Sequence, residues 1–402
     1  MRLKTMKVPG GDGEAPEPPR GAEQNGSRGI PGARLLQGAM LASGAIAGGL
    51  FWMAGRWPGA FMQAYSDVAY PALARVLGPI GRLVPLPLGE LLLFLILGLV
   101  LLFLVRAGAV LARDGRAGAA LLWRGIRWAA ASASFLYAGF ILAWGLNYRR
   151  PPLAQRLGWP VEAPRVEELR GLCGELVPQV NALRAEATPD PDLGRVAARA
   201  SEGYRRLGPA LHPAVPVMRT SPVKPALLSR LMSRALTWGM VIPWTHEALV
   251  SRETPIPAVP FTICHEMAHQ RGVAREDEAN FVGYVAARAH PDPDFRYSAQ
   301  RFALHELLRQ LARTDPAAAR QFLERLDPAV REDDRREAEW FRSRISAFSR
   351  AQGRVYDGYL KSQGQREGIR SYGRVVDLLL AEARLRAAGR LPEGLACSGP
   401  RK

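Results

Sequence analysis

The stretch Thr262–Ala287, TICHEMAHQRGVAREDEANFVGYVAA, reads as two short helices joined at a glycine, and the rest of the chain is organised around it. Its core, His265-Glu266-Met267-Ala268-His269, is an HExxH pattern. On an α-helix, residues four apart sit about 40° from each other and one turn along the axis. Both imidazoles can therefore reach one Zn²⁺ from one face, and Glu266 stands beside them to work on a metal-bound water. Pro260 suits the start of this helix, and Phe261, Ile263, Cys264, Met267 and Ala268 give it apolar surface to bury. Gly272 offers a C-terminal stop.

Such a site needs a third protein ligand and an open fourth position. Three acids follow the glycine: Glu276, Asp277 and Glu278. Glu276 is the favoured ligand. It begins ExxAN, which puts Glu276 and Asn280 on one face of the next helix, with Asn280 placed to hold a ligand by a hydrogen bond. Glu278 projects about 200° away from Glu276, so the two cannot share a metal. HExxHxxG also resembles the turn of metzincins, where a third histidine would follow. Here Arg275 stands in that place and cannot bind a metal.

The 402 residues carry a formal net charge of +17, almost all of it from arginine. No aromatic-interleaved basic motif and no zinc-knuckle cysteine spacing accompanies the charge, so nucleic acid is not the expected partner. Positive loops beside a bilayer account for it better. Cys173, Cys264 and Cys397 are too few and too far apart for a disulfide framework or a CxxC site. Cys264 points about 100° away from His265 and is expected to pack rather than ligate.

Residues 1–33 are rich in Gly, Pro, Arg and Glu and read as a disordered cytoplasmic tail. Residues 34–150 read as a transmembrane region with spans at about 35–55, 86–105 and 128–148, each near the ~20 residues that cross a bilayer. The first run is rich in small residues that suit close helix packing, and the second is apolar on all sides. Trp52, Trp57, Trp123, Trp128, Trp144 and Tyr148 lie near the ends of the runs, as interfacial aromatics do. Arginines crowd the tail and the 106–127 loop more than the loop between the first two runs. The tail and the 106–127 loop are thus expected in the cytoplasm, and residues 151–402 outside it, in a multi-pass protein of the cell membrane. Arg149 and Arg150 argue weakly the other way.

Pro151-Pro152 ends the third run. Residues 164–187 and 192–207 have helical periodicity, and Ser221 is a candidate cap for a helix through Ala235. Thr237–Val250, TWGMVIPWTHEALV, reads as a hairpin around a Pro-Trp-Thr-His turn. An edge strand there could hold an extended peptide by main-chain hydrogen bonds, or simply be structural. His246 and Glu247 are further candidates to approach the site. Helices are expected at about 296–313, 316–326, 328–352 and 370–388. Tyr297, Tyr359 and Tyr372 are candidates for stabilising an oxyanion.

The chemistry these residues suggest is metal-assisted hydrolysis, with Zn²⁺ on His265, His269 and Glu276 and with Glu266 as general base. Several segments resemble the bacterial DUF3810 family. They are LNYRRPPL (146–153), VKPALLSRLMSRALTWGMVIPWTHEAL (223–249), the HExxH stretch, FRYS (295–298) and GYLKSQGQREGIRSYGRVVDLLLA (358–381). The resemblance implies a membrane-anchored, zincin-like metalloprotein with HExxH, and no substrate. ExxAN is similar to the third-ligand helix of gluzincins, where Asp often replaces Asn280.

The expected fold is mainly α: a three-helix transmembrane part, then an α-rich α+β zincin-like metallopeptidase domain with a short hairpin before the active-site helix. The expected partners are the lipid bilayer and a peptide or protein substrate. The competing expectation is a catalytically silent membrane scaffold with a structural zinc site, closed by a fourth ligand such as Cys264 or His246. An intramembrane protease fits the sequence poorly, because HExxH lies far along the chain from the last apolar run.

Overall fold

The computed structural model describes residues 31–57, 59–212, 214–365 and 374–396. Residues 1–30 of the expected tail, Tyr372 and Cys397 lie outside them. The chain begins with α1 (Pro31–Arg56), α2 (Gly59–Ala64), a π-helical turn at Tyr65–Ala69 and α3 (Tyr70–Leu83). A helical hairpin follows, α4 (Leu88–Arg113) and α5 (Gly115–Ala143), with Asp114 capping α5 through the amides of Arg116 and Ala117. Helices α1, α4 and α5 are each long and apolar enough to cross a membrane, as the three apolar runs lead one to expect. From Leu92 to Val105 α4 presents a nearly continuous series of exposed Leu, Ile, Val and Phe side chains, a surface that water does not tolerate. Between α1 and α5 the Ser134 hydroxyl donates to the Leu41 carbonyl at 3.0 Å, an approach that small residues permit.

The third run departs from expectation at its end. Helix α5 stops at Ala143, Trp144 leaves helical geometry (φ −144°), and Gly145–Arg149 forms a 3₁₀ turn. Trp144 and Tyr148 are therefore not interfacial anchors. The turn folds them inward, 7% and 6% exposed, into a cluster with Phe51 and Ala54 of α1, Tyr65, Tyr70 and Ala274. Arg149 and Arg150 are likewise structural. Arg149 stacks 4.0 Å over the Phe51 ring, and buried Arg150 donates to Ser66 and to the Gly272 carbonyl. Packing thus runs unbroken across residue 150.

The remaining helices up to the sheet are α6 (Leu153–Leu157), α7 (Val166–Glu186), α8 (Leu193–Arg199) and α9 (Ser201–Leu207). The helix expected after Ser221 is mostly absent. Lys224–Pro225 forms strand β1, only Ser229–Arg234 is helical (α10), and the Ser221 hydroxyl instead donates to the Gly78 carbonyl of α3. The expected hairpin is present as β2 (Gly239–Ile242) antiparallel to β3 (Glu247–Val250). Strand β1 adds parallel to β3, so the order is β1-β3-β2 and β2 is an edge.

The HExxH helix is α11 (Val259–Gln270) and the acidic one α12 (Glu276–Arg288). They are followed by α13 (Pro293–Thr314), α14 (Pro316–Glu324), α15 (Pro328–Arg344), α16 (Ala347–Ser362), α17 (Val375–Ala387) and α18 (Glu393–Ala396). The single helix expected at 328–352 is split at Ser346, whose side chain caps α16. Every residue of α11 is buried. It is the central rod of the main core, packed by Phe281, Val285, Phe295 and Leu304 from α12 and α13.

Candidate metal centre

Helix α11 ends where its glycine lets it. Gly272 has φ +79°, its amide donates to the His269 carbonyl at 2.8 Å, and the Val273 amide donates to Ala268 at 3.2 Å. This is a Schellman closure with Gly272 in the left-handed position. The turn reverses the chain so that α12 starts with Glu276 facing the imidazoles. Helices α11 and α12 cross closely at Gly283, where a Cβ would come within 2.8 Å of the His265 backbone.

The result is a triangle of ligand atoms. His265 Nε2 and His269 Nε2 are 3.1 Å apart, and each lies 3.4 Å from Glu276 Oε2. Atoms at the corners of a tetrahedron with zinc bonds of about 2.0–2.1 Å stand about 3.3–3.4 Å apart. The three side chains therefore already outline one face of such a tetrahedron. Among the described residues they are the one group of His, Cys, Asp and Glu so arranged. His269 Nδ1 donates to the Val273 carbonyl at 2.7 Å, which leaves Nε2 as the nitrogen turned to the centre. Glu276 Oε2 is buried without a hydrogen-bond partner, a polar atom that a cation at the centre of the triangle would help to account for.

The electrostatics agree. Burial works against a charge on His269, but the Glu276 and Glu266 carboxyls beside it prevail and lift its pKa to about 9. Burial, helped by the His269 charge, lowers that of His265. Glu276 is itself buried, yet His269 and His265 hold it well below the carboxylate range. With no metal, the pair is thus an imidazolium against a carboxylate. Burial and the Glu276 charge push Glu266 up to about 8, and its Oε2 has no hydrogen-bond partner.

Other residues fall where sequence spacing did not place them. Tyr356 of α16 donates to Glu276 Oε1 at 2.7 Å and so holds that carboxylate from the side away from the imidazoles. Eighty positions separate the two, and no local pattern marks the pairing. Gly239 of β2 lies directly against Glu266. The Trp144 ring meets that of His269 edge-on at 5.8 Å. Asn280 is buried against His265 and favours its charged form. Tyr359 lies beside Tyr148, with hydroxyls 3.3 Å apart, whereas Tyr297 donates to Asp333 in the core and is no part of the site.

Glu278 turns away, as the helical angle requires, and accepts from the Leu153 amide. His246 does not reach the metal triangle. Its ring is 6.1 Å from that of Tyr70, and burial lowers its pKa to about 4. Glu247 is also elsewhere. It pairs with buried Lys224 at 2.5 Å and accepts from the amides of Leu88 and Gly89, an anion at the N-terminus of α4. Cys264 is buried outside the triangle, its thiol pushed up to about 12 by burial.

The model of a family described as a protein of unknown function, DUF3810, matches residues 65–380. No curated protein and no solved structure matches the chain.

Proposed function

This chain belongs to the DUF3810 family of unknown function, and on that premise we propose that it is a membrane-anchored, zincin-like zinc metallopeptidase. The observation that carries the reading is the triangle of His265, His269 and Glu276 with Glu266 beside it. Two imidazoles and a carboxylate are the donor set of a hydrolytic zinc site, and three protein ligands leave a position for water. When bound, the metal supplies Lewis acidity and lowers the pKa of water. Glu266 would take a proton from the attacking water as its oxygen bonds to the peptide carbonyl carbon, and would hand that proton to the nitrogen as the C–N bond breaks. Strand β2, which carries Gly239 against Glu266, has one side unpaired among the described residues, and that side offers main-chain partners to an extended peptide.

A structural site would be closed by a fourth side chain. Cys264 and His246, the two candidates, both lie outside the triangle, which favours the enzyme over the silent scaffold. The arginine-rich tail and 106–127 loop favour placing the C-terminal domain outside the cytoplasm.

The test is a randomised peptide library offered to zinc-loaded full-length protein in detergent, wild type beside Glu266→Gln. Equal zinc in both and cleavage by wild type alone is expected. Equal cleavage by both would overturn the assignment of Glu266, and no zinc in either would overturn the reading.

A further inference from the structure

We infer that the site works at the bilayer surface, and that its substrate is the juxtamembrane segment of a membrane-anchored polypeptide. This rests on the peptidase reading and adds the substrate class to it.

The first observation is level. About 20 helical residues span the hydrocarbon core of a bilayer. Arg127 of α5, bonded to Gln37 of α1 at 2.8 Å, marks one polar boundary. Counting about 20 residues onward from Arg127 ends near Asn147, past the last residue of α5, Ala143. Counting the same distance back from Arg106 along α4 ends near Leu86. Both counts arrive at segments that hold the metal domain. Trp144, one residue beyond α5, touches His269. The Leu86 and Val84 carbonyls accept from Lys224 Nζ at 3.0 and 2.7 Å.

The second observation is attachment. Glu247 of β3 caps the N-terminus of α4, and in return Glu90 of α4 accepts from the amides of Leu227 and Leu228, at 2.6 and 3.1 Å. The sheet is therefore fixed to the end of a helix whose flanks are bare leucine. The hairpin turn reaches further still. Trp244 packs on Gly139 and Phe140, about one turn inside the end of α5.

The third observation is the surface so positioned. Ile80, Leu83, Leu86, Met240 and Trp244 are each between 41% and 80% exposed. They come from α3, the link to α4 and the β2–β3 hairpin, all joined to the bilayer end of α4. A scattered apolar residue needs no explanation in a soluble domain. Here these continue the exposed apolar face of the membrane-length helices, and lipid is the occupant that continuity selects. Strand β2, which carries Met240 outward and Gly239 against Glu266, then lies along the membrane surface. A chain emerging from the bilayer can add to its free edge after only a few residues. A soluble peptide must first reach that surface.

The test uses full-length protein in phosphatidylcholine vesicles, with Cys397→Ser and a bimane label on Met240→Cys. Lipids carry a nitroxide either near the headgroup or deep in the acyl chain. The label should be quenched, and more strongly by the shallow nitroxide. In parallel, the same randomised peptide library is offered free and fused to an apolar transmembrane helix, with spacers from about 5 to about 40 residues. An extended spacer of about 5 residues reaches only ~17 Å. Cleavage should be fastest with the short spacers and fall by at least about tenfold for the long ones and for the free library. A label untouched by either nitroxide would overturn the inference and leave the peptidase reading standing. So would cleavage that needs long spacers or favours the free library. Lipid contact by the label, with zinc bound and no peptide of any form cleaved, would instead overturn the peptidase reading and this substrate class with it.

Discussion

Adding one methyl group at Gly239 should disable the site without touching a ligand. A Cβ there would stand 2.3 Å from Glu266 Oε1 and 2.6 Å from its Cγ and Cδ. Ordinary contact begins near 3.4 Å, so the carboxyl must retreat by about 1.1 Å, the difference of 3.4 and 2.3 Å. It has little room to do so, because Glu266 is 4% exposed and its Cγ is blocked as well as its tip. Overpacking of this kind costs about 1–3 kcal/mol. A displacement of about 1 Å in a catalytic group lowers turnover by about 100-fold. Gly239→Ala should therefore keep its zinc, lose about 1–3 kcal/mol of stability and lose about two orders of magnitude in kcat. Stability tests the cause without a substrate. With Glu266→Ala the new methyl has space, so the double variant should be more stable than the sum of the singles implies, by at least about 1 kcal/mol. Additive effects in thermal unfolding, or a Gly239→Ala enzyme of normal kcat, would refute the reasoning.

Three further outcomes follow from the site. His269 and Glu266 have pKa values raised to about 9 and about 8, so each stabilises the metal-free fold at low pH and loses that contribution as pH rises through its folded value. The metal-free protein should thus lose thermal stability progressively between about pH 5 and about pH 9, while zinc affinity measured against a competing chelator rises about tenfold per pH unit up to about 9. Tyr356→Phe removes the 2.7 Å hydrogen bond to Glu276 and should weaken zinc affinity by about 10–100-fold in the same competition. Gly272→Ala would force a left-handed φ of +79° on a residue whose Cβ meets Arg150 Nη1 at 2.7 Å, and should lower stability by at least about 2 kcal/mol in chemical denaturation.

What sequence could show here was local. His265, Glu266 and His269 share a helical face, and Gly272 with Arg275 narrowed the third ligand to Glu276. The structure brings the ligand atoms of His265, His269 and Glu276 within 4.8 Å of one another. The hairpin and the three apolar helices were legible for the same reason, since period and turn chemistry act over a few residues. The supports of the site were not. Tyr356 and Gly239 meet Glu276 and Glu266 across the fold, and neither has a neighbour in sequence that points there. Trp144 and Tyr148 misled because an apolar run with aromatics at its end looks the same whether the ring faces lipid or His269. Glu247 drew attention as an acid beside His246, yet its work is to cap α4, which only the long-range partner Lys224 and the Leu88 amide reveal.

Zinc-edge X-ray absorption on the purified full-length protein tests the central claim most directly. One zinc per chain, held by two imidazoles and two further light atoms at about 2.0–2.2 Å, with metal lost in His269→Ala, is the expected result. A sulfur ligand at about 2.3 Å, or full zinc content in the absence of His269, would contradict it.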